Sequence, residues 1–195
     1  MAMNKQLWLL AGGNGAGKST FHRLFLQPQG VPFVNADLIA KELFPNAPEV
    51  RSYDAARLAE ELRRRLLLEG KSFCFETVFS HPSKIDFVAQ AKALGYEIIL
   101  VFIHLDNPAL NNARVAQRVE QGGHAVPEGK VLSRIPRTLN HVRTVIPLCD
   151  QVRVLDNSSA REPYKKVALL RAGAVIETAE IIPAWAVELL RTDAS

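Results

Sequence analysis

Only two cysteines stand in the 195 residues, Cys74 and Cys149, and they have no metal-ligand spacing. A cysteine-ligated metal site is therefore excluded. Cys74 lies inside the apolar run "SFCFETV" and reads as a small core residue. No apolar run reaches the roughly 18 residues that a membrane-crossing helix needs, so no membrane partner is expected. The stretch Met1 to Gln6 carries no apolar segment ahead of a small-residue cleavage site, an expectation against a secretory leader. Together these absences predict a cytoplasmic protein. Internal repeats, low-complexity tracts and linkers are also missing, so a single domain over 1–195 is expected.

Apolar residues make up 48% of the chain, enough for one sizeable core. The net charge is +4, and its location matters more than its size. Between Ala109 and Pro147 stand Arg114, Arg118, Lys130, Arg134, Arg137 and Arg143 against only Glu120 and Glu128. That segment, about 109–147, holds the whole excess and reads as a basic, lid-like element facing an anionic ligand. A solvated helix face is the plainer explanation.

Strand-like and helix-like runs alternate along the chain. "KQLWLLA", "VPFVNA", "KSFCFETV", "YEIILVFIHL" and "DQVRVLDN" read as five strands. Helical patterns fall between them, which predicts an α/β fold with a parallel five-stranded sheet and helices on both faces. "YDAARLAEELRRRLLLEG" is the strongest helix; Leu58, Leu62, Leu66, Ala55 and Ala59 are assigned its apolar face and Arg63 to Arg65 the opposite side. The helix after "IHLD" is expected to end at Gly122-Gly123, and Pro136 to kink or break the next one. A small hairpin around Arg171-Ala172-Gly173 and a closing helix from Pro183 to Arg191 complete the expectation.

The first strand runs directly into Gly12, Gly13, Asn14, Gly15, Ala16, Gly17, Lys18, Ser19 and Thr20. Strand, Gly-x4-Gly-Lys-Ser, helix is a phosphate-binding loop of the Walker A type. Its glycines admit the phosphates close to the backbone, and the amides opening the helix face the anion. In such a loop Lys18 reaches the β- and γ-phosphates and the Ser19 hydroxyl ligates magnesium, so ATP and Mg²⁺ are the expected cofactors.

The class of phosphate-loop protein follows from further absences. A transporter ATPase needs an LSGGQ-type signature and a strand ending in Asp-Glu; the first is missing and the strand ends in Asp106-Asn107-Pro108. Asp106 or Asn107 reads instead as a helix cap. A guanine-reading N-K-x-D is missing too. A small kinase needs a carboxylate on the acceptor hydroxyl and cations around the transferring group. In an open α/β sheet these lie just past the carboxyl ends of the strands. Asp37 follows the second strand; Glu76, Thr77 and Ser80 close the third. Asp37 could instead serve only as a helix cap, and Glu76, a carboxylate in a buried strand, could have a structural cation as its partner.

The ordered set "AGGNGAGKST", "FVNADLIA", "FCFETVFS", "ARVAQRVEQGGHAVPE", "SRIPRTL" and "VRVLDNS" resembles the zeta toxin family of phosphate-loop kinases, over about residues 6–158. The resemblance implies transfer of the ATP γ-phosphate to a hydroxyl of a small acceptor. Toxins of the family phosphorylate UDP-N-acetylglucosamine, and an antitoxin protein is the implied partner. By matching position it also implies Asp37 as general base, Glu76 and Thr77 as acceptor-binding residues, and Arg118 as the arginine closing over the phosphates. Arg134 and Arg137 match further lid cations. Three departures stand out: Val78 where a second hydroxyl is expected after the glutamate, His124 where larger toxins carry an arginine, and Pro136 within the arginine segment.

A second reading uses the basic segment to bind nucleic acid, either as a nucleotide-dependent binder or as a nucleic-acid end kinase. Against it, residues 109–147 contain no Phe, Tyr or Trp to stack on bases.

Overall fold

The structure is a computed structural model and describes residues 5–48, 50–120 and 126–191. His124 and the expected Gly122-Gly123 helix stop lie outside the described residues. Strands β1 (Gln6–Ala11), β2 (Phe33–Val34), β3 (Phe73–Thr77), β4 (Glu97–His104) and β5 (Gln151–Asp156) pair in the order β2-β3-β1-β4-β5, all parallel. The expected hairpin is present as β6 (Lys165–Arg171) and β7 (Ala174–Thr178). It is not a separate appendage: β6 pairs antiparallel with β5 and β7 with β6, which extends the sheet to seven strands. Ala172 and Gly173 at its tip both have positive φ, 46° and 80°. That conformation suits a tight hairpin turn.

Strand residues alternate between two apolar layers. Leu7, Leu9, Phe73, Phe75, Ile98, Leu100 and Phe102 face one cluster. Trp8, Leu10, Cys74, Ile99, Val101 and Ile103 face the other. Both faces are therefore covered, which is why β4 reads as one unbroken apolar run. Helices α3 (Ser52–Leu68), α4 (Ser83–Ala93), α6 (Glu128–Val145) and α7 (Ala184–Leu190) supply the first cluster. Phe21 of α1 (Lys18–Phe21) and Leu26 in the turns that follow it supply the second. Helix α2 (Ala36–Leu43) follows β2, and α5 (Pro108–Glu120) follows β4.

Two helices depart from the sequence pattern. In α3 the buried stripe is Ala55, Ala59, Arg63 and Leu67, while Leu62 is 39% exposed. Arg63 belongs to the core face because its guanidinium lies over Phe75 at 5.0 Å and Phe87 at 5.8 Å. Arginine stems pack well, and the planar head stacks on ring faces. In α6 the helix continues through Pro136 instead of breaking. Pro136 and Leu132, four residues earlier, both lie on the exposed side, so the carbonyl that loses its helical partner can bond to water. Among the described residues no helix is long and apolar enough to cross a membrane.

Candidate active site

Beyond the carboxyl ends of β1, β2 and β3 opens a cleft of about 980 Å³. The glycine loop, residues 12–17, forms its floor and runs into α1. Four loop glycines, Gly12, Gly13, Gly15 and Gly17, leave no room for a β-carbon, two of them most sharply. A β-carbon on Gly12 would lie 2.1 Å from the Ile103 carbonyl oxygen, and one on Gly17 (φ 98°) 2.5 Å from Asn157 Nδ2. The loop carbonyls are tied down one by one. Lys18 Nζ donates to Gly13 O at 2.9 Å, and Asn111 Nδ2 to Asn14 O at 2.6 Å. Asn157 Nδ2 donates to Ala16 O and Tyr164 Oη to Gly17 O, each at 2.9 Å. The Ala16 amide donates within the loop to Gly13 O at 3.2 Å; with four loop carbonyls bonded behind them, the other amides can face an anion. Arg134 NH1 reaches Asn14 Oδ1 at 3.4 Å and brings α6 over the loop.

Glu76 is the last residue but one of β3, which pairs directly with β1, so its carboxylate emerges beside the start of α1. Ser19 Oγ donates to Glu76 Oε2 at 2.6 Å and Asn35 Nδ2 donates to the same oxygen at 2.8 Å. Lys18 Nζ lies 3.6 Å from Oε1. Lys18 is buried; burial lowers its pKa, and the charges of Glu76 and Asp37 oppose that shift.

Helix α2 is capped by Asn35, not by Asp37. Asn35 Oδ1 accepts from the backbone amides of Asp37 at 2.8 Å and Leu38 at 3.2 Å. The Asp37 carboxylate makes no capping bond and faces the cleft, 55% exposed, with Arg118 NH1 3.9 Å from Oδ2. Arg118 comes from the last turn of α5, and Arg114, one turn earlier, donates to Asn157 O at 2.9 Å. Asn107 caps α5 by accepting from the Ala109 amide at 2.9 Å.

The cleft thus brings together Lys18, Ser19, Asp37, Glu76, Thr77, Arg118 and Arg134. Thr77 Oγ1 accepts from the Phe79 amide at 2.9 Å and closes a turn in which Phe79 has φ 62°. Helix α6 holds that turn, with Thr138 donating to Val78 O at 2.8 Å and His141 Nδ1 3.1 Å from Phe79 O. Val78 lines the cleft; Ser80 does not. Arg137 also stays out of it and donates to Ser133 O of its own helix at 3.1 Å. Gly12, Gly13 and Ala16 shape the loop from behind the lining.

Sequence reasoning missed Asn35, Asn111, Asn157 and Tyr164, and counted Arg114 without giving it a task. Asn35 carried a signal: an asparagine directly before a helical first turn is a strong cap candidate. Asn157 sits just past β5, on the sheet edge where ligand sites form. Asn111 and Tyr164 reach the loop only through tertiary packing.

Comparison with known proteins gives a consistent picture. The model of the zeta toxin family matches residues 2–167. An uncharacterized protein of Haemophilus influenzae is 32% identical over 139 residues, 68% of this chain and 99% of that protein. Among solved structures, the AvrRxo1-ORF1:AvrRxo1-ORF2 complex with ATP superposes with a TM-score of 0.69 at 18% identity, over 89% of this chain and 60% of that one. The PezAT chromosomal toxin-antitoxin system of Streptococcus pneumoniae gives a TM-score of 0.65 at 17% identity, over 86% of this chain and 72% of that one. The chain thus spans about three fifths of the AvrRxo1 chain, and at these identities the likeness is one of fold.

Proposed function

Because this chain belongs to the zeta toxin family of phosphate-loop kinases, we propose that it transfers the γ-phosphate of ATP to a hydroxyl of a small acceptor. The acceptor class we assign is a sugar nucleotide of the UDP-N-acetylglucosamine kind or a related metabolite. The observation that carries the reading is the exposed Asp37 carboxylate, left out of the helix cap and set beside Arg118 across the cleft from the glycine loop. A carboxylate used only as a cap would be spent on backbone amides. This one is available to take the proton from an acceptor hydroxyl.

In this assignment the loop amides and Lys18 hold the donor phosphates, while Arg118 and Arg134 add positive charge where the transfer builds negative charge. Arg114 steadies the loop after β5 through its bond to the Asn157 carbonyl. The Ser19 hydroxyl and the Glu76 carboxylate, 2.6 Å apart, are hard oxygen donors of the type magnesium prefers. They fit a site in which the nucleotide phosphates and water complete the coordination. When bound, that ion neutralises phosphate charge. Four of the six basic residues of the 109–147 segment, Arg114, Arg118, Lys130 and Arg134, line this cleft. That arrangement supports a kinase lid over a nucleic-acid surface. An antitoxin is the partner we assign, because PezAT is a toxin-antitoxin system and AvrRxo1-ORF1 was crystallised together with AvrRxo1-ORF2.

The test is phosphate transfer from labelled ATP to a panel of UDP-sugars, dinucleotides and nucleosides. Asp37→Asn should lower transfer by about 10²- to 10⁴-fold while leaving ATP-analogue affinity intact. Full transfer by that variant would remove Asp37 from the chemistry.

A further inference from the structure

The charges that line the cleft are sorted by element. Among the described residues its cations are Lys18 at the end of the loop, Arg114 and Arg118 from α5, and Lys130 and Arg134 from α6. The wall built by α2, the first turns of α3 and the end of β3 contributes no Lys, Arg or His among those residues. It presents Asp37 and, where it meets the loop, Glu76, with the hydroxyls of Ser52 and Tyr53 and the apolar Ala56 and Val78. Two arginines lie close to this wall in sequence but do not line it. Arg51 is paired with Asp54 at 3.0 Å and Arg57 with Glu61 at 3.8 Å.

A phosphate on the acceptor would need charge-assisted bonds from such cations, or backbone amides in their place. The first amides of α2 are already bonded to Asn35 Oδ1, and α3 carries Asp54 in its first turn. In the proposed reading Lys18, Arg118 and Arg134 serve the donor phosphates, and Arg114 donates to Asn157 O. A second phosphate group on this wall would therefore stand beside Asp37 with no cation of its own, and like charges repel at that range.

An uncharged sugar ring meets none of these costs. Its hydroxyls can bond to Asp37 and Ser52, and its apolar face can cover the ring of Tyr53, which is 90% exposed although it lines the cleft. We infer that the acceptor is an uncharged sugar or nucleoside with no phosphate of its own, and that the Tyr53 ring packs against it. The inference rests on the kinase reading and takes the second of its two acceptor classes, a related metabolite in place of a sugar nucleotide.

The experiment compares matched acceptors in phosphate transfer from labelled ATP: N-acetylglucosamine against its 1-phosphate and UDP-N-acetylglucosamine, and uridine against UMP. The phosphate-free member of the better pair should have the higher kcat/KM, by about 10- to 100-fold. Ala56→Lys, which adds a cation at an exposed helical position of this wall, should narrow that ratio by about tenfold. Tyr53→Ala should raise the KM of the phosphate-free acceptor by about three- to tenfold, with the KM for ATP unchanged. A phosphate-bearing acceptor that equals or exceeds its phosphate-free partner overturns the inference. A ratio that Ala56→Lys does not move overturns its electrostatic basis, and an unmoved acceptor KM in Tyr53→Ala removes Tyr53 from the site. Should no member of the panel accept phosphate, calorimetry with UDP on protein loaded with magnesium and a non-hydrolysable ATP analogue decides. Absence of UDP binding there supports the inference, and saturable binding overturns it. Wild type that binds no ATP analogue overturns the kinase reading itself, an outcome distinct from the others.

Discussion

The two walls of the cleft are built in opposite ways. On the wall we assign to the donor, four carbonyls of the loop, those of Gly13, Asn14, Ala16 and Gly17, are fastened by side chains: one by the loop's own Lys18, three by Asn111, Asn157 and Tyr164 from distant parts of the chain. The Gly12 backbone fits against β4 with no room for a methyl group. On the wall we assign to the acceptor the groups stand in the open. Asp37 is 55% exposed, its Arg118 partner 40%, and Tyr53, which also lines the cleft, 90%. The difference has a physical reason. A phosphate chain is the same in every ATP, so a rigid cradle loses nothing by being fixed before binding, and preorganisation lowers the cost of ordering it. Under the proposed reading, the exposed wall is the one that an acceptor hydroxyl must reach.

That contrast can be broken from either side, and the largest effect is expected at Gly12. Gly12→Ala would push a methyl into the Ile103 carbonyl, and we expect a loss of about 3 kcal/mol or more in urea unfolding, together with loss of nucleotide binding. A stable, ATP-binding Gly12→Ala would show that the donor wall yields after all.

Next comes a pH effect at the back of the donor wall. His104 ends β4, packs against Trp185 at 4.5 Å, and burial lowers its pKa from 6.5 to about 4, with Asp156 and Asp106 opposing. The folded state keeps this ring neutral, so its contribution is complete above pH 6.5. Between pH 6.5 and 4 the unfolded chain takes up the proton first, and stability falls, by up to about 3 kcal/mol. His104→Gln should flatten that acid limb in denaturation curves taken at several pH values. A limb of unchanged slope would assign the acid sensitivity to other groups.

Asn157→Ala is a milder cut into the same wall. It leaves the buried Ala16 carbonyl without its partner, which should cost about 1–3 kcal/mol and weaken ATP-analogue binding. The smallest stability effect belongs to the acceptor wall: Tyr53→Ala should change unfolding free energy by no more than about 0.5 kcal/mol. Any effect it has should appear as a raised acceptor KM at unchanged ATP affinity. A large stability loss there would mean that the acceptor wall is also part of the folded frame.

The sequence was most informative where one residue type has one use. Glycines, lysine and serine at fixed spacing after an apolar strand identified the donor loop. Runs such as "YEIILVFIHL" identified buried parallel strands, because both of their faces are covered. It was least informative where the same residue type has several uses. Arg63 has the letters of a surface triplet but the surroundings of a core residue, since only the fold brings Phe75 and Phe87 under it. Asp37 and Asn35 compete for one capping role in "VNAD", and the backbone geometry gives it to Asn35. Pro136 promised an interruption, but its exposed position made the missing bond cheap.

By itself the sequence determined the alternation of strands and helices, the phosphate-binding loop, and the concentration of basic charge in residues 109–147. Those depend on local spacing and composition, which a linear chain carries in full. The tertiary structure decided which carboxylate faces which wall. Ser19, Asn35 and Glu76 are far apart in sequence and meet only because β3 lies between β1 and β2. It also decided that Asn111, Asn157 and Tyr164 hold the loop from behind. Contacts of that range have no signature in spacing, because they arise from strand order and packing across the sheet edge.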